Sequence, residues 1–321
     1  MSIAPAPRGS RRRRLDDESR LARLNTHSPG GSKSVFRHVA CLLALAVWAT
    51  GCDSVSNSTT AERHPDVQAA SKPLVVMTYN VLADPVAPER RATAIGDIIR
   101  THQPDIIALQ EVAPWFLKLL LANSEIADSY QIPNFDGADQ CPGGQLVLSR
   151  HPIIQADWTT LSGPQRRTAV AMTVSIEGRQ TVVATTHMES PLEAGNVRAQ
   201  QLRQLFQLAG TSSEVLVLGD FNFGDGELEE REIPSTFVDA WTMLHPDDPG
   251  FTWDIERSLM AKRGSFPNEP SRRIDRVLIR SQIYQSGTIK IVGDQPLSEG
   301  SGLFPSDHFG LVATIVPKQT E

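Results

Sequence analysis

From residue 74 onward the chain consists of short β-rich runs separated by polar turns. LVVMTY (74–79), IIAL (106–109), QLVLS (145–149), TAVAMTVSI (168–176), TVVATT (181–186), EVLVLG (214–219), RIDRVLI (273–279), GTIKIV (287–292) and FGLVATIV (309–316) have strand length and β-branched content. Two stretches carry helical spacing instead. Pro88 suits N1 of a helix whose Ile95, Ile98 and Ile99 share a face. A second helix after Pro191 would bury Val197, Leu202, Leu205, Phe206 and Leu208 on one side. Many strands, few helices, no internal repeat and no linker after residue 72 predict one α/β domain over 73–318, with two packed sheets flanked by helices.

A different pattern precedes this domain. Residues 39–51, VACLLALAVWATG, are the only long apolar stretch. They are too few for a membrane-spanning helix, which needs about 20 residues, and they fit the h-region of a signal peptide. Ala49, Thr50 and Gly51 before Cys52 resemble a bacterial lipoprotein processing site, with Ala49 where Leu is usual. On that reading 1–51 is a leader, Cys52 receives lipid, and 52–72 is a flexible tether rich in Ser, Thr, Asn and Gln. The protein would then sit outside the cytoplasm, anchored on the periplasmic face. Cleavage to a free secreted form and an uncleaved anchor are the alternatives. Translation from Val35 on an alternative start codon would explain the long polar stretch upstream of Phe36. The Arg11 to Arg14 run has two other readings, nucleic-acid binding and twin-arginine export.

Composition sharpens this division. Hydrophobic residues are 40% and charged residues 21% of 321, which excludes a wholly disordered chain and a multispanning membrane protein. The net charge of -6 is a sum of unlike parts: residues 1–51 hold nine Lys/Arg and three Asp/Glu (+6), leaving 22 and 34 (-12) in the rest. An acidic body argues against tight binding to duplex DNA. Of three cysteines, Cys41 leaves with the leader and Cys52 is the lipid site, so Cys141 is left and no disulfide framework exists.

The candidate chemistry sits where strands end. The first strand runs into Asn80, the second into Glu111, the fifth into His187, and the sixth into Asp220 and Asn222; Asp307 and His308 precede the last strand. Singly, these are ordinary turn formers, loop caps or a core histidine. Jointly, carboxylates, amides and imidazoles on a rigid scaffold are the set needed for metal-assisted phosphoryl transfer.

TYN (78–80), LQEV (109–112), THMES (186–190), GDFN (219–222), RRIDRV (272–277) and SDH (306–308) resemble the ordered motifs of the endonuclease/exonuclease/phosphatase superfamily. That resemblance, over 74–316, implies a four-layer α/β sandwich of the DNase I-like kind, with two mixed sheets between helices. HMES, FTWD (251–254), RRIDRVLIR (272–280) and FPSDHFGL (304–311) are most similar to the type 2 tyrosyl-DNA phosphodiesterases. The resemblance implies a Mg2+ site, with Mn2+ as a substitute, held by Glu111 and helped by Asn80. Asp220 would activate the attacking water and Asn222 would hold water or phosphate. His308, oriented by Asp307, would stabilise the phosphoryl oxygens, and His187 and Ser190 would bind them from the other side. Asp275 would be a supporting polar position, or else a salt-bridge partner of Arg272, Arg273 or Arg276.

The substrate is less sharply implied. Trp253 matches an aromatic wall beside the leaving group, although it is equally suited to a core position. Phe223 and Gly224 follow GDFN where the group tends to carry a basic residue, so a phosphate or DNA contact is missing there. Arg166, Arg167, Arg198 and Arg203 are left as candidates to line a groove. The expected protein is a monomeric, lipid-anchored phosphodiesterase or nuclease, acting on a phosphodiester such as a nucleic acid with a 5'-aryl adduct. The alternatives are a lipid-headgroup enzyme of the sphingomyelinase or inositol phosphatase type, and a catalytically inactive binding lipoprotein.

Overall fold

A computed structural model of the chain describes residues 72–135 and 140–319, all within one compact unit. The leader, Cys52 and the tether up to residue 71 lie outside the described residues. In chain order come β1 (Leu74–Asn80), α1 (Pro88–His102), β2 (Ile106–Gln110), α2 (Pro114–Leu121), α3 (Ser124–Ser129), β3 (Leu146–Ser149) and β4 (Ile153–Thr160). They are followed by β5 (Thr168–Ile176), β6 (Arg179–His187), α4 (Gly195–Ala209), β7 (Val215–Asp220), β8 (Val238–Asp239) and α5 (Ala240–Leu244). The chain closes with α6 (Leu259–Gly264), β9 (Asp275–Arg280), β10 (Tyr284–Val292) and β11 (Gly310–Pro317).

The strands form two mixed sheets. One has the order β10-β11-β1-β2-β3 and the other β4-β5-β6-β7-β9-β8. The β1–β2 and β6–β7 pairs are parallel and the rest antiparallel. The period of two along each strand sorts side chains into layers. In β7, Leu216 and Leu218 join Val76, Ile106, Val170 and Leu311 in the core between the sheets, whereas Val215 and Val217 meet Leu202 and Leu205 of α4. On the opposite outer face, Met77 and Ile107 pack with Ile95 and Ile99 of α1 and with Phe116 of α2. The architecture is the expected helix, sheet, sheet, helix sandwich.

Both long helices form where expected. Pro88 opens α1, and α4 starts at Gly195 after a short 3-10 turn (Leu192–Ala194). The sequence pattern did not reveal β4, which lies at a sheet edge with most of its side chains exposed, or α2, whose PWFLKLLL has hardly a polar face.

Candidate active site

Three adjacent strands bring the centre of the site into line. β7 ends at Asp220, whose register partners are His187 at the end of β6 and Asp275 at the start of β9. Residues at one register position point to the same side of a sheet, so these three groups converge. Gly219 allows this approach: a Cβ there would stand 2.4 Å from the Thr186 carbonyl oxygen. The other sheet contributes Asn80 at the end of β1 and Glu111 just after β2. Glu111 holds a φ of 58° and Asn222 a φ of 54°. Asn tolerates the left-handed region, but in Glu such a conformation costs about 1–3 kcal/mol and survives only where its surroundings enforce it.

Asp220 is the hub. Its Oδ2 accepts from Asn80 Nδ2 at 2.9 Å and lies 3.3 Å from His187 Nε2 and 3.7 Å from His308 Nε2. Its Oδ1 accepts from the Asn222 backbone N–H at 3.0 Å. Burial, aided by the Asp275 charge, raises the Asp220 carboxyl to about 7 against the pull of His308 and the hydrogen bonds. His308 is moved the other way. Burial opposes its charged form, but Asp275, 2.9 Å from Nδ1, and Asp220 together raise it to about 10, so the ring is a cation at neutral pH. His187 is neutral, held well below its usual range by burial, Arg167 and His308. Arg167 donates to His187 Nδ1 at 3.0 Å, which leaves the Nε2–H to face Asp220.

Glu111 completes the set. Its Oε2 accepts from the Ala83 backbone N–H at 2.9 Å and its Oε1 from Asn80 Nδ2 at 3.3 Å. Asp307 rises above the ordinary carboxylate range through burial, with Glu111 adding to the shift. The cleft over these groups holds about 180 Å³ and is lined also by Ser190, Trp253, Phe266 and Ile274. Asn222 Nδ2 donates to the Met188 carbonyl at 2.9 Å, and Ser190 Oγ accepts from Gln165 Nε2 at 2.9 Å.

The predicted residues are therefore brought together, with corrections to their connections. The group orienting His308 is Asp275, not Asp307, whose Oδ1 instead accepts from Ser306 Oγ at 3.2 Å. Asp275 makes no salt bridge with the arginines around it. Arg273 and Arg276 turn to Asp225 and Asp239, and Arg272 to Glu227 and Glu269. Asn80 directs its N–H groups to Glu111 and Asp220 while its Oδ1 accepts from Leu82 N–H, so it links two carboxylates. Arg198 is buried against Glu229, and Arg203 pairs with Glu232, so neither lines the cleft. Of the four candidate arginines, Arg167 alone is among the cleft-lining residues. Trp253 answers to both of its readings: it is buried, and its ring lies 5.0 Å from that of His308 in the cleft wall. Phe223 is a core residue with Arg276 over its ring.

Asp220, Asp275 and His308 also each offer one ligand-type atom within 4.8 Å of the others. The His308 ring, with Nδ1 2.9 Å from Asp275 and Nε2 3.7 Å from Asp220, bridges the two carboxylates without a cation. Glu111, 28% exposed at the cleft edge, is the carboxylate better placed for one.

A sandwich of two sheets with carboxylates, amides and imidazoles gathered at one rim defines a class of phosphoesterases. The model of the Endonuclease/Exonuclease/phosphatase family matches residues 77–308, and the chain belongs to that family of phosphoric ester hydrolases. Tyrosyl-DNA phosphodiesterase 2 of Xenopus laevis is 29% identical over 270 residues, covering 80% of this chain and 69% of that one. Among solved structures, the Danio rerio tyrosyl-DNA phosphodiesterase 2 complexed with single strand DNA product aligns with a TM-score of 0.65 at 23% identity, over 77% of this chain and 100% of that chain. Sphingomyelinase C from Streptomyces griseocarneus aligns with a TM-score of 0.57 at 20% identity, over 76% and 99%. These two structural likenesses establish the fold alone.

Proposed function

We propose that the chain is a Mg2+-dependent phosphodiesterase that releases an aryl group from the 5' phosphate of a nucleic acid. It acts as a monomer tethered through lipid on Cys52 to the periplasmic face of a membrane. The observation that carries the catalytic part is the single carboxylate oxygen of Asp220 shared among Asn80, His187 and His308, beside Glu111 in an open cleft.

Glu111 would hold the cation, with Asn80 fixing its carboxylate. Mg2+ prefers oxygen ligands and keeps several waters, so one such group suits it, and Mn2+ would substitute. When bound, the cation would neutralise charge on the phosphate and on the leaving oxygen. Asp220, with a carboxyl at about 7, is suited to orient a water and take its proton near neutral pH. Asn222, anchored to Met188, flanks that water. The His308 cation would face the oxygens on which charge accumulates, and Arg167 and Ser190, which line the same cleft, would hold the phosphate, with His187 set between Arg167 and Asp220. The water oxygen bonds to phosphorus as the phosphorus–aryl oxygen bond breaks. The electron pair leaves on the phenolate, which takes a proton from solvent. Trp253, Phe266 and Ile274 support an aryl substrate by giving the cleft an apolar side. The relatives' name supports nucleic acid, and the leader pattern supports the location.

The test is a Mg2+ assay of the purified protein on 5'-phosphotyrosyl oligonucleotide, single- and double-stranded DNA, RNA, sphingomyelin and inositol phosphates. The phosphotyrosyl ester is expected to have the highest kcat/KM. Preference for sphingomyelin would reassign the enzyme to lipid headgroups.

A further inference from the structure

The connection between β4 and β5, residues 161–167, carries the one arginine that lines the cleft, Arg167. Two neutral groups hold it. Arg167 Nη1 donates to His187 Nδ1 at 3.0 Å, and Nε donates to Gln165 Oε1 at 3.0 Å. Other arginines that the fold buries are neutralised: Arg198 by Glu229, Arg272 by Glu227 and Glu269, and Arg273 and Arg276 by Asp225 and Asp239. Arg167 makes no ion pair among the described residues. Burial works against its charge, and Asp220, Glu111 and Glu189 offset this only in part. A guanidinium stays charged even so. Fixed by neutral partners and short of counter-charge, it keeps its attraction for an anion that enters the cleft.

Gln165 links this cation to a second cleft residue. Its Oε1 also accepts from the Ser190 backbone N–H at 3.0 Å, and its Nε2 donates to Ser190 Oγ at 2.9 Å. One side-chain amide therefore ties Arg167, before β5, to Ser190, after β6. Gln165 is itself exposed, so its position needs support from below. That support is Glu189, a fully buried carboxylate with no part in the chemistry above. Glu189 Oε1 accepts from the Gln165 backbone N–H at 3.0 Å and Oε2 from Gln201 Nε2 at 3.2 Å. Gln201 Nε2 in turn donates to the Ser162 carbonyl at 2.6 Å, so α4 holds the start of the same loop. Gly163, with a φ of 130°, permits the close packing: a Cβ there would stand 2.6 Å from Glu189 Oε2.

We propose that Gln165 is a positioning residue that joins Arg167 and Ser190 into one clamp for a phosphate group, and that it does so because it is neutral. The amide fixes the guanidinium without cancelling its charge. A carboxylate at position 165 could make the same contact to Nε but would pair with the cation. The proposal rests on the phosphodiesterase reading, in which Arg167 and Ser190 hold the phosphate.

The experiment measures Kd, with Mg2+, for one oligonucleotide with and without a 5' phosphate, and kcat/KM for its 5'-phosphotyrosyl ester. Wild type should bind the phosphorylated form more tightly. Gln165→Leu, similar in size but without the amide, should lower both that preference and kcat/KM by about fivefold, mainly through KM. Gln165→Glu should lower them at least as far although it keeps the acceptor. Arg167→Ala should remove most of the preference, and adding Gln165→Leu to it should change Kd by less than about twofold, because Gln165 acts through the guanidinium. Position 165 is exposed, so thermal melts should match wild type. A Gln165→Glu protein equal to wild type would overturn the role of neutrality, and with it the proposal. So would a Gln165→Leu effect of equal size in both backgrounds, which would mark loop support alone. Hydrolysis of the ester without any wild-type preference for the 5' phosphate would overturn the clamp and leave the phosphodiesterase reading standing. A preference lost in Gln165→Leu, with no ester hydrolysed by wild type, would support the clamp and overturn that reading.

Discussion

His308 shows how a few ångströms decide a residue's role. Alone and buried it would lose its proton; between Asp275 and Asp220 it keeps the proton up to about 10. If the cationic ring stabilises the transition state, activity holds while His308 is protonated and falls as pH rises through that value. Asp275→Asn removes the nearer carboxylate, so the alkaline limb of the kcat/KM profile should move down toward neutral pH and the plateau should drop. An unmoved limb would show that His308 does not act as a cation held by Asp275. The chain of residues was legible in the sequence, but their connections were not. Asp307 is the neighbour of His308 in sequence, whereas Asp275 reaches it through the β7–β9 register. Arg167 was visible only as one basic residue among several, because nothing in its local pattern marks the bond to His187.

β9 shows the same division at the scale of an element. Its Asp275 turns to the site, while the next residue, Arg276, joins Arg273 in a buried cluster with Asp239 and Asp225 on the other side. Burial by itself raises the Asp239 carboxyl, but the two arginines outweigh it and hold the group below its ordinary range. The depressed value means that its stabilisation is present above about 3.9, the unfolded carboxylate value, and is lost as pH falls through the folded one. Asp239→Ala should cost about 3 kcal/mol in urea unfolding at pH 7 by leaving buried arginine charge poorly matched. That difference should shrink as pH falls below the folded value, and a gap that is constant with pH would contradict the assignment. Strands with one or both faces buried, such as β7, were readable from apolar content. β4, largely exposed, gave no alternation to read, and α3, α5 and α6, at five or six residues each, are too short to show a period.

At the scale of the whole molecule, the catalytic domain and the residues before it are separate objects in sequence as well as in charge. No helix among the described residues is long and apolar enough to cross a membrane, and the attachment proposed above is lipid on Cys52. Cys52→Ser should move the protein from the membrane to the soluble fraction with kcat/KM unchanged, whereas continued membrane retention would defeat the lipid anchor. The acidic body, -12 by the sums above, argues against capture of duplex DNA by a broad cationic face. The most direct test of the account as a whole is turnover of 5'-phosphotyrosyl oligonucleotide by wild type with Mg2+, wild type with EDTA, and Asp220→Asn with Mg2+. We expect EDTA to abolish turnover, Mg2+ to restore it, and Asp220→Asn to be slower by about 10²–10⁴-fold with its thermal melt retained. Turnover indifferent to EDTA, or an Asp220→Asn protein as fast as wild type, would contradict it.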